Sequence, residues 1–234
     1  MNAAADAAPD TLRISVDAKA TVKVGPFARG GKNRVPTRAA DHDFGASGRV
    51  TPVGILVPQT DELFLYAVQS RVTSDCLVDV LEQWWASVQA QWPAVRTLVI
   101  NLDNGPESHS GRTQFMARLV RWAATSGLRI CLAYYPPYHS KYNPIERCWG
   151  VLEQHWNGSL LDSVAAVERL MASMTWKGQR PRVETVQQVY PTGVRLSRQA
   201  MQGVERHLQR LPGLRKWFVD IPVPVLADGI FNCA

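Results

Sequence analysis

The sequence predicts an α/β fold, a five-stranded mixed sheet flanked by helices and continued by a basic helical extension. Three observations predict it. Strand-like runs fall at residues 12–16, 50–57, 62–68, 95–102 and 128–134, most of them bounded by Gly, Pro, Asp or Asn. Helical periodicity begins only after the third of these runs and then alternates with strands. The composition, 46% hydrophobic and 20% charged over 234 residues, suits a folded domain with a sizeable core and excludes a disordered chain.

Residues 1–11 are Ala-rich and lack the basic start and apolar core of a signal peptide, so they read as a disordered tail. Leu12 to Val16 is the first strand, with Asp17 at its end. Ala18 to Arg49 is broken by Gly25-Pro26, Gly30-Gly31 and Pro36, and is long for a plain connection. Val50–Val57 and Glu62–Val68 form a hairpin across Pro58 to Asp61. Thr73 or Ser74 caps a helix on which Leu77, Val80, Leu81, Trp84, Trp85 and Val88 make one wide apolar face. Its tryptophans read as core, not as base-stacking platforms. The fourth strand is Val95–Leu102. A helix over about Arg112 to Ser126 buries Phe115, Met116, Leu119, Val120 and Ala123 and stops at Gly127. Leu128–Tyr134 is the fifth strand. A helix then opens at Asn143-Pro144, with Asn143 as N-cap and Pro144 where a missing N–H costs nothing. It turns Ile145, Trp149, Leu152 and Trp156 inward. Another helix runs from Asp162 or Ser163 to Met174, and Gly178 and Pro181 mark a boundary. Ser197 to Leu211 is a further helix, and residues 222–234 read as a loose tail. The expected organisation is a domain over 12–176, a basic helical extension over 177–221 and the two tails. Three strands, then helix, strand, helix, strand, helix, is the order of an RNase H-like fold. A flavodoxin-like alternation fits less well, because no helix separates the first three strands.

Three carboxylates stand out within that order. Asp17 ends the first strand, and Asp103 follows the fourth, at the carboxyl end of a strand where α/β sheets place their sites. Glu146 lies in the first turn of the Asn143 helix. Two strand-end aspartates and a helix-start glutamate can converge to hold hard divalent cations through oxygen. The other reading of Glu146 is half of a capping box with Asn143.

The strings around these residues resemble a known family. Pro136-Pro137-Tyr138, a short polar spacer and then Asn143-Pro144-Ile145-Glu146 are similar to the third-carboxylate motif of mariner-related DDE transposases. Asp103-Asn104-Gly105 is similar to their second-carboxylate motif. Ser15 to Ala20, Asp41 to Gly45, Asn101 to Glu107, Tyr134 to Trp149, and Leu152 to Gly158 bring the resemblance closer to the ISAzo-type insertion-sequence transposases. The similarity runs from about Leu12 to about Ile221. It implies an RNase H-like catalytic domain with Asp17, Asp103 and Glu146 as catalytic residues and metal ligands, served by two Mg²⁺ ions, or Mn²⁺. It implies DNA cleavage followed by strand transfer, with transposon ends and target DNA as partners and a homo-oligomer on the DNA. It also implies a bacterial cytoplasm and association with the nucleoid. Two departures appear. Between Asp103 and Glu146 lie 42 residues, more than is usual in the mariner relatives. Full transposases also carry an N-terminal helix-turn-helix region, whereas Asp17 arrives almost at once here, so the expectation is a truncated transposase, an excised domain or a remnant.

Charge placement agrees with a polyanionic partner. The net charge is +6; residues 1–100 hold 10 basic and 10 acidic side chains, so the excess lies in residues 101–234. Residues 177–216 alone hold 9 basic and 2 acidic residues. Lys19, Lys23, Arg29, Lys32 and Arg34 in the long second segment, with His139 and Lys141 ahead of Glu146, are candidate DNA-binding residues. Asn104, Glu107 and His109 flank Asp103 and are open between structural and metal-side roles, and Asp41 and His42 have no assignable chemistry. Cys76, Cys131, Cys148 and Cys233 lack zinc spacing and fit a reducing compartment. No apolar run approaches a membrane span. A DNA-binding remnant without activity and an RNase H-like nuclease or resolvase are the alternatives to an active transposase.

Overall fold

The structure of the protein, a computed structural model, describes residues 2–32, 36–40, 45–136 and 142–224. In chain order its helices and strands are α1 (Asn2–Ala7), β1 (Thr11–Ala18), β2 (Val22–Val24), β3 (Gly48–Val57), β4 (Glu62–Val68), α2 (Ser74–Val88), β5 (Thr97–Leu102), α3 (Thr113–Ser126) and β6 (Arg129–Tyr134). They continue with α4 (Glu146–Trp156), α5 (Val164–Ser173), β7 (Arg182–Val186), α6 (Arg198–Glu205), β8 (Gln209–Arg210) and β9 (Phe218–Ile221). The chain packs as two units. One comprises Met1–Ser15, Thr73–Asn143 and Pro191–Ala234, and the other Val16–Val72 and Pro144–Tyr190. The boundary expected at residue 177 therefore falls inside the second unit.

In the first unit the opening residues of β1 pair in parallel with β5, from Thr11↔Thr97 to Ser15↔Asn101, and β5 pairs in parallel with β6. These strands are buried on both faces, which is why they read as near-continuous apolar runs. Thr73 caps α2 by accepting the Cys76 N–H, and Gly127, at φ 69°, ends α3 in the left-handed conformation that glycine adopts without strain. Arg118 on α3 reaches Asp75 and Asp79 on α2, at 2.8 and 2.6 Å. Trp84 and Trp85 are core, as expected.

Two expectations for this unit are corrected. The N-terminal residues are not a disordered tail: Asn2–Ala7 is helical, as an alanine run favours, and Ala5 packs on Val99 and Cys131. Asp6 pairs with both ends of the Arg13 guanidinium, at 2.7 and 2.8 Å, which ties the helix to β1. The extension is not purely helical either. After α6, β9 pairs antiparallel with β6 and β8 pairs with β9. Its Asp220, nearly sequestered from water, is satisfied by Arg129 at 2.6 and 2.8 Å.

In the second unit β3 and β4 form the expected hairpin, and β7 adds in parallel to β4. The closing residues of β1 lie beside β3, and the Lys19 N–H bonds the Pro52 carbonyl at 2.8 Å. The short β2 pairs with the start of β3. Helices α4 and α5 bury Cys148, Trp149, Leu152, Trp156, Val167 and Met171 against Leu56, Leu63 and Leu65 of the hairpin. Parallel β1–β5–β6 in one unit and an antiparallel β3–β4 hairpin beside β1 in the other are the pairings an RNase H-like fold requires.

Candidate active site

Asp103 belongs to the first unit, and Asp17 and Glu146 to the second. Strand β5 delivers Asp103 one residue past its last ladder position, into a loop that runs to α3. The carboxyl is half-buried. Burial pushes its pKa up, and the backbone N–H groups of Gly105 and of Asp103 itself act the other way. Among the described residues no lysine or arginine pairs with it, so its charge is held in place by backbone dipoles alone. A side chain at position 105 would place a Cβ 3.2 Å from Asp103 Oδ1, so the glycine gives the carboxylate its room.

The loop is pinned at several points. Tyr134, at the end of β6, donates its hydroxyl to the Ser108 carbonyl at 2.7 Å. Arg210, from β8, donates to the Ser110 carbonyl at 2.9 Å. Glu107 pairs with Arg112 at 3.0 Å, while its carbonyl accepts the Ser74 hydroxyl at 2.8 Å. Asn104 accepts the Ser110 N–H at 3.4 Å. His109 accepts the Gly111 N–H at Nδ1; burial, seconded by Arg112, lowers its pKa and favours the neutral ring. Glu107, Asn104 and His109 thus serve the shape of the Asp103 loop. Sequence reading left their roles open and missed Tyr134 and Arg210.

Asp17 sits at the penultimate position of β1. Its Oδ2 accepts the indole N–H of Trp149 at 2.7 Å. Glu146 is the first residue of α4 and is half-buried. The expected N-cap is corrected. Asn143 Oδ1 accepts a short hydrogen bond from the Ser15 hydroxyl, and α4 starts three residues later, from Ile145, without a side-chain cap. The Arg147 and Cys148 N–H groups bond Pro144 and Ile145 in a tight first turn. Because Asn143 Oδ1 bonds Ser15 and α4 has no side-chain cap, the capping-box reading of Glu146 loses its support.

Two of the expected DNA contacts have partners inside the unit. Lys19 and Arg29 converge on Glu153 of α4, at 2.8 and 3.0 Å, and lie over the Trp156 ring. Burial alone would raise the Glu153 pKa, but its pairing with the Lys19 and Arg29 cations outweighs it and the pKa is lowered. Their cations are therefore committed inside the unit. Lys23 is exposed and shares a cavity of about 510 Å³ with Thr21, Arg49, Thr51 and Arg71. Lys32 is exposed. Arg34, His139, Lys141, Asp41 and His42 lie outside the described residues. Cys76, Cys131 and Cys148 are buried free thiols, with pKa values pushed up by burial to about 11, 12 and 12.

Each of these carboxylates is, taken singly, the kind of oxygen donor that hard divalent cations take. Among the described residues no three His, Cys, Asp or Glu side chains are gathered as a metal-holding group. Nor is any described helix long and apolar enough to cross a membrane.

The class of protein that the sequence defines is the transposase DDE domain. Residues 1–222 match the family model described as the Rhodopirellula transposase DDE domain, and the chain belongs to that family. Two solved structures are similar in shape. One is the Mos1 transposase paired-end complex with left transposon end, with a TM-score of 0.48 and 12% identity over 67% of this chain and 45% of that one. The other is the Mos1 mariner paired end complex with Mn, with a TM-score of 0.49 and 11% identity over 67% and 46%. The chain spans less than half the length of either. It matches no curated protein.

Proposed function

We propose that this transposase DDE domain cleaves DNA strands and joins them to a target with the help of divalent metal ions. Asp17, Asp103 and Glu146 hold those ions. The observation that carries the reading is the family match over residues 1–222, which takes in all three carboxylates at a strand end, a post-strand loop and a helix start. When bound, a pair of Mg²⁺ or Mn²⁺ ions activates the attacking oxygen and neutralises charge on the phosphate and the leaving oxygen. The chain's own part is to hold the acidic groups ready. The backbone of the Asp103 loop, anchored by Tyr134 and Arg210, keeps one carboxylate half-buried. The indole of Trp149 holds another, and the uncapped start of α4 presents the third.

The DNA is held by charge. Lys23, Arg49 and Arg71 around their shared cavity, together with Lys32, supply phosphate contacts; Lys19 and Arg29 do not. The deciding experiment incubates purified protein with DNA carrying the matching element ends, in Mg²⁺, Mn²⁺ or chelator. Metal-dependent nicking is expected. DNA retained on the protein with no nicking in either metal would instead identify a binding remnant.

A further inference from the structure

We infer that Trp149 is a positioning residue that locks the Asp17 carboxylate to the helix bearing Glu146. The inference rests on the proposed metal-ligand roles of Asp17 and Glu146 and adds a residue that those roles do not name. Three observations support it. The Trp149 Nε1–H donates to Asp17 Oδ2 at 2.7 Å, and an indole N–H can only donate, so the bond has one sense. Trp149 stands three residues after Glu146 on α4, a spacing that brings two side chains onto one helix face. The ring is also seated. It is nearly buried, and Gly54 on β3 leaves the space it fills. A Cβ at position 54 would come within 2.7 Å of the Trp149 ring and 2.6 Å of the Ile145 side chain.

The device has a physical purpose. A carboxylate oxygen carries two lone pairs, so accepting the indole proton leaves the group able to ligate a cation. What the bond removes is the freedom of the Asp17 side chain to rotate away. Because the donor belongs to α4, Asp17 is fixed relative to the same helix that sets Glu146. The two ligands are prearranged by one rigid element, which is how residues behind a metal's direct ligands raise affinity.

The test uses the full chain and Mn²⁺ binding measured by calorimetry, with thermal melting in chelator as the fold control. Trp149→Phe keeps most of the ring and removes the N–H. It is expected to melt near the parent temperature and to bind Mn²⁺ about tenfold to a hundredfold more weakly. Gly54→Ala keeps the indole but displaces it, and is expected to weaken Mn²⁺ binding in the same direction. Parent-like affinity in a folded Trp149→Phe protein overturns the inference. Asp17→Asn and Glu146→Gln separate it from the reading beneath: if they too bind Mn²⁺ like the parent, the metal-ligand roles fail; if they lose the ion while Trp149→Phe keeps it, only the role of Trp149 fails. Should Trp149→Phe not fold, the parent carries the test through its indole N–H resonances. One resonance is expected to move both on Asp17→Asn and on adding Mg²⁺ to the parent, and the absence of any such resonance overturns the inference.

Discussion

Glu146 separates a ligand from a structural acid by a single isosteric change. It opens α4 with no capping partner in Asn143, so Glu146→Gln removes only the favourable placement of a negative charge at a helix N-terminus. That is worth about 0.3–1 kcal/mol, and the melting temperature is expected to change little. Metal assistance is worth several kcal/mol of transition-state stabilisation, so strand cleavage is expected to fall at least about a hundredfold. Parent-rate nicking by Glu146→Gln in Mg²⁺ would remove Glu146 from the site. Asp103 gives a complementary expectation. Its raised pKa means that the folded chain disfavours the carboxylate relative to the unfolded chain. At neutral pH in chelator, Asp103→Asn is therefore expected to melt above the parent while losing cleavage. A melting temperature below the parent would show that the carboxylate is a structural ion and not one kept for a cation.

At the scale of elements, the glycine pair of the long second segment has a defined seat. Gly31 has φ 81°, and a Cβ there would lie 2.4 Å from Asn157 Oδ1, just past α4. Gly31→Ala therefore combines a left-handed alanine, at about 1–2 kcal/mol, with a steric clash, and denaturant unfolding is expected to show more than about 1 kcal/mol of lost stability. The ion group at Glu153 sets a pH dependence nearby. A carboxyl whose folded-state pKa is lowered contributes stability that is present above its unfolded pKa and is lost as pH falls through the folded one. The parent should exceed Glu153→Gln in melting temperature at neutral pH, and the gap should close as the solution is acidified below the ordinary carboxylate range. A gap that persists unchanged in acid would show that Lys19 and Arg29 are not its source. The same stretch shows what was legible in the sequence. The five strands could be read because buried strands follow local patterns. The Lys19 and Arg29 ion pairs could not, because their partner lies more than a hundred residues away and an unpaired cation looks the same in a string. Asn143 was misread as a cap for a similar reason: its partner, Ser15, comes from β1. Strand β9 does not stand out in the sequence, because four residues interrupted by Asp220 pass as part of a helical extension until β6 supplies a ladder and Arg129 a counter-charge.

For the whole molecule, the charge distribution predicts the character of DNA binding. Affinity should fall steeply with salt, with a slope that counts the phosphates neutralised. Replacing Lys23, Arg49 and Arg71 by alanine is expected to flatten that slope, whereas Arg29→Ala is expected to leave the slope alone and lower stability instead. A salt slope unchanged by the triple replacement would move the DNA to another face. The position of β9 has a further consequence, one of timing. The first unit draws its longer strands from residues 11–15, 97–102, 129–134 and 218–221, so its pairings close over long stretches of chain. Long-range pairings of this kind fold slowly, because loop-closure entropy must be met before the contacts form. During synthesis the outer edge of β6 waits, unpaired, for residues that lie far downstream of it in the chain, and an unpaired edge is a template for the wrong strand. Nascent chains arrested before Phe218 should therefore be protease-sensitive throughout the first unit and prone to aggregate on release. Chains extended past Ile221 and clear of the ribosome should become resistant as the late strand seals the edge.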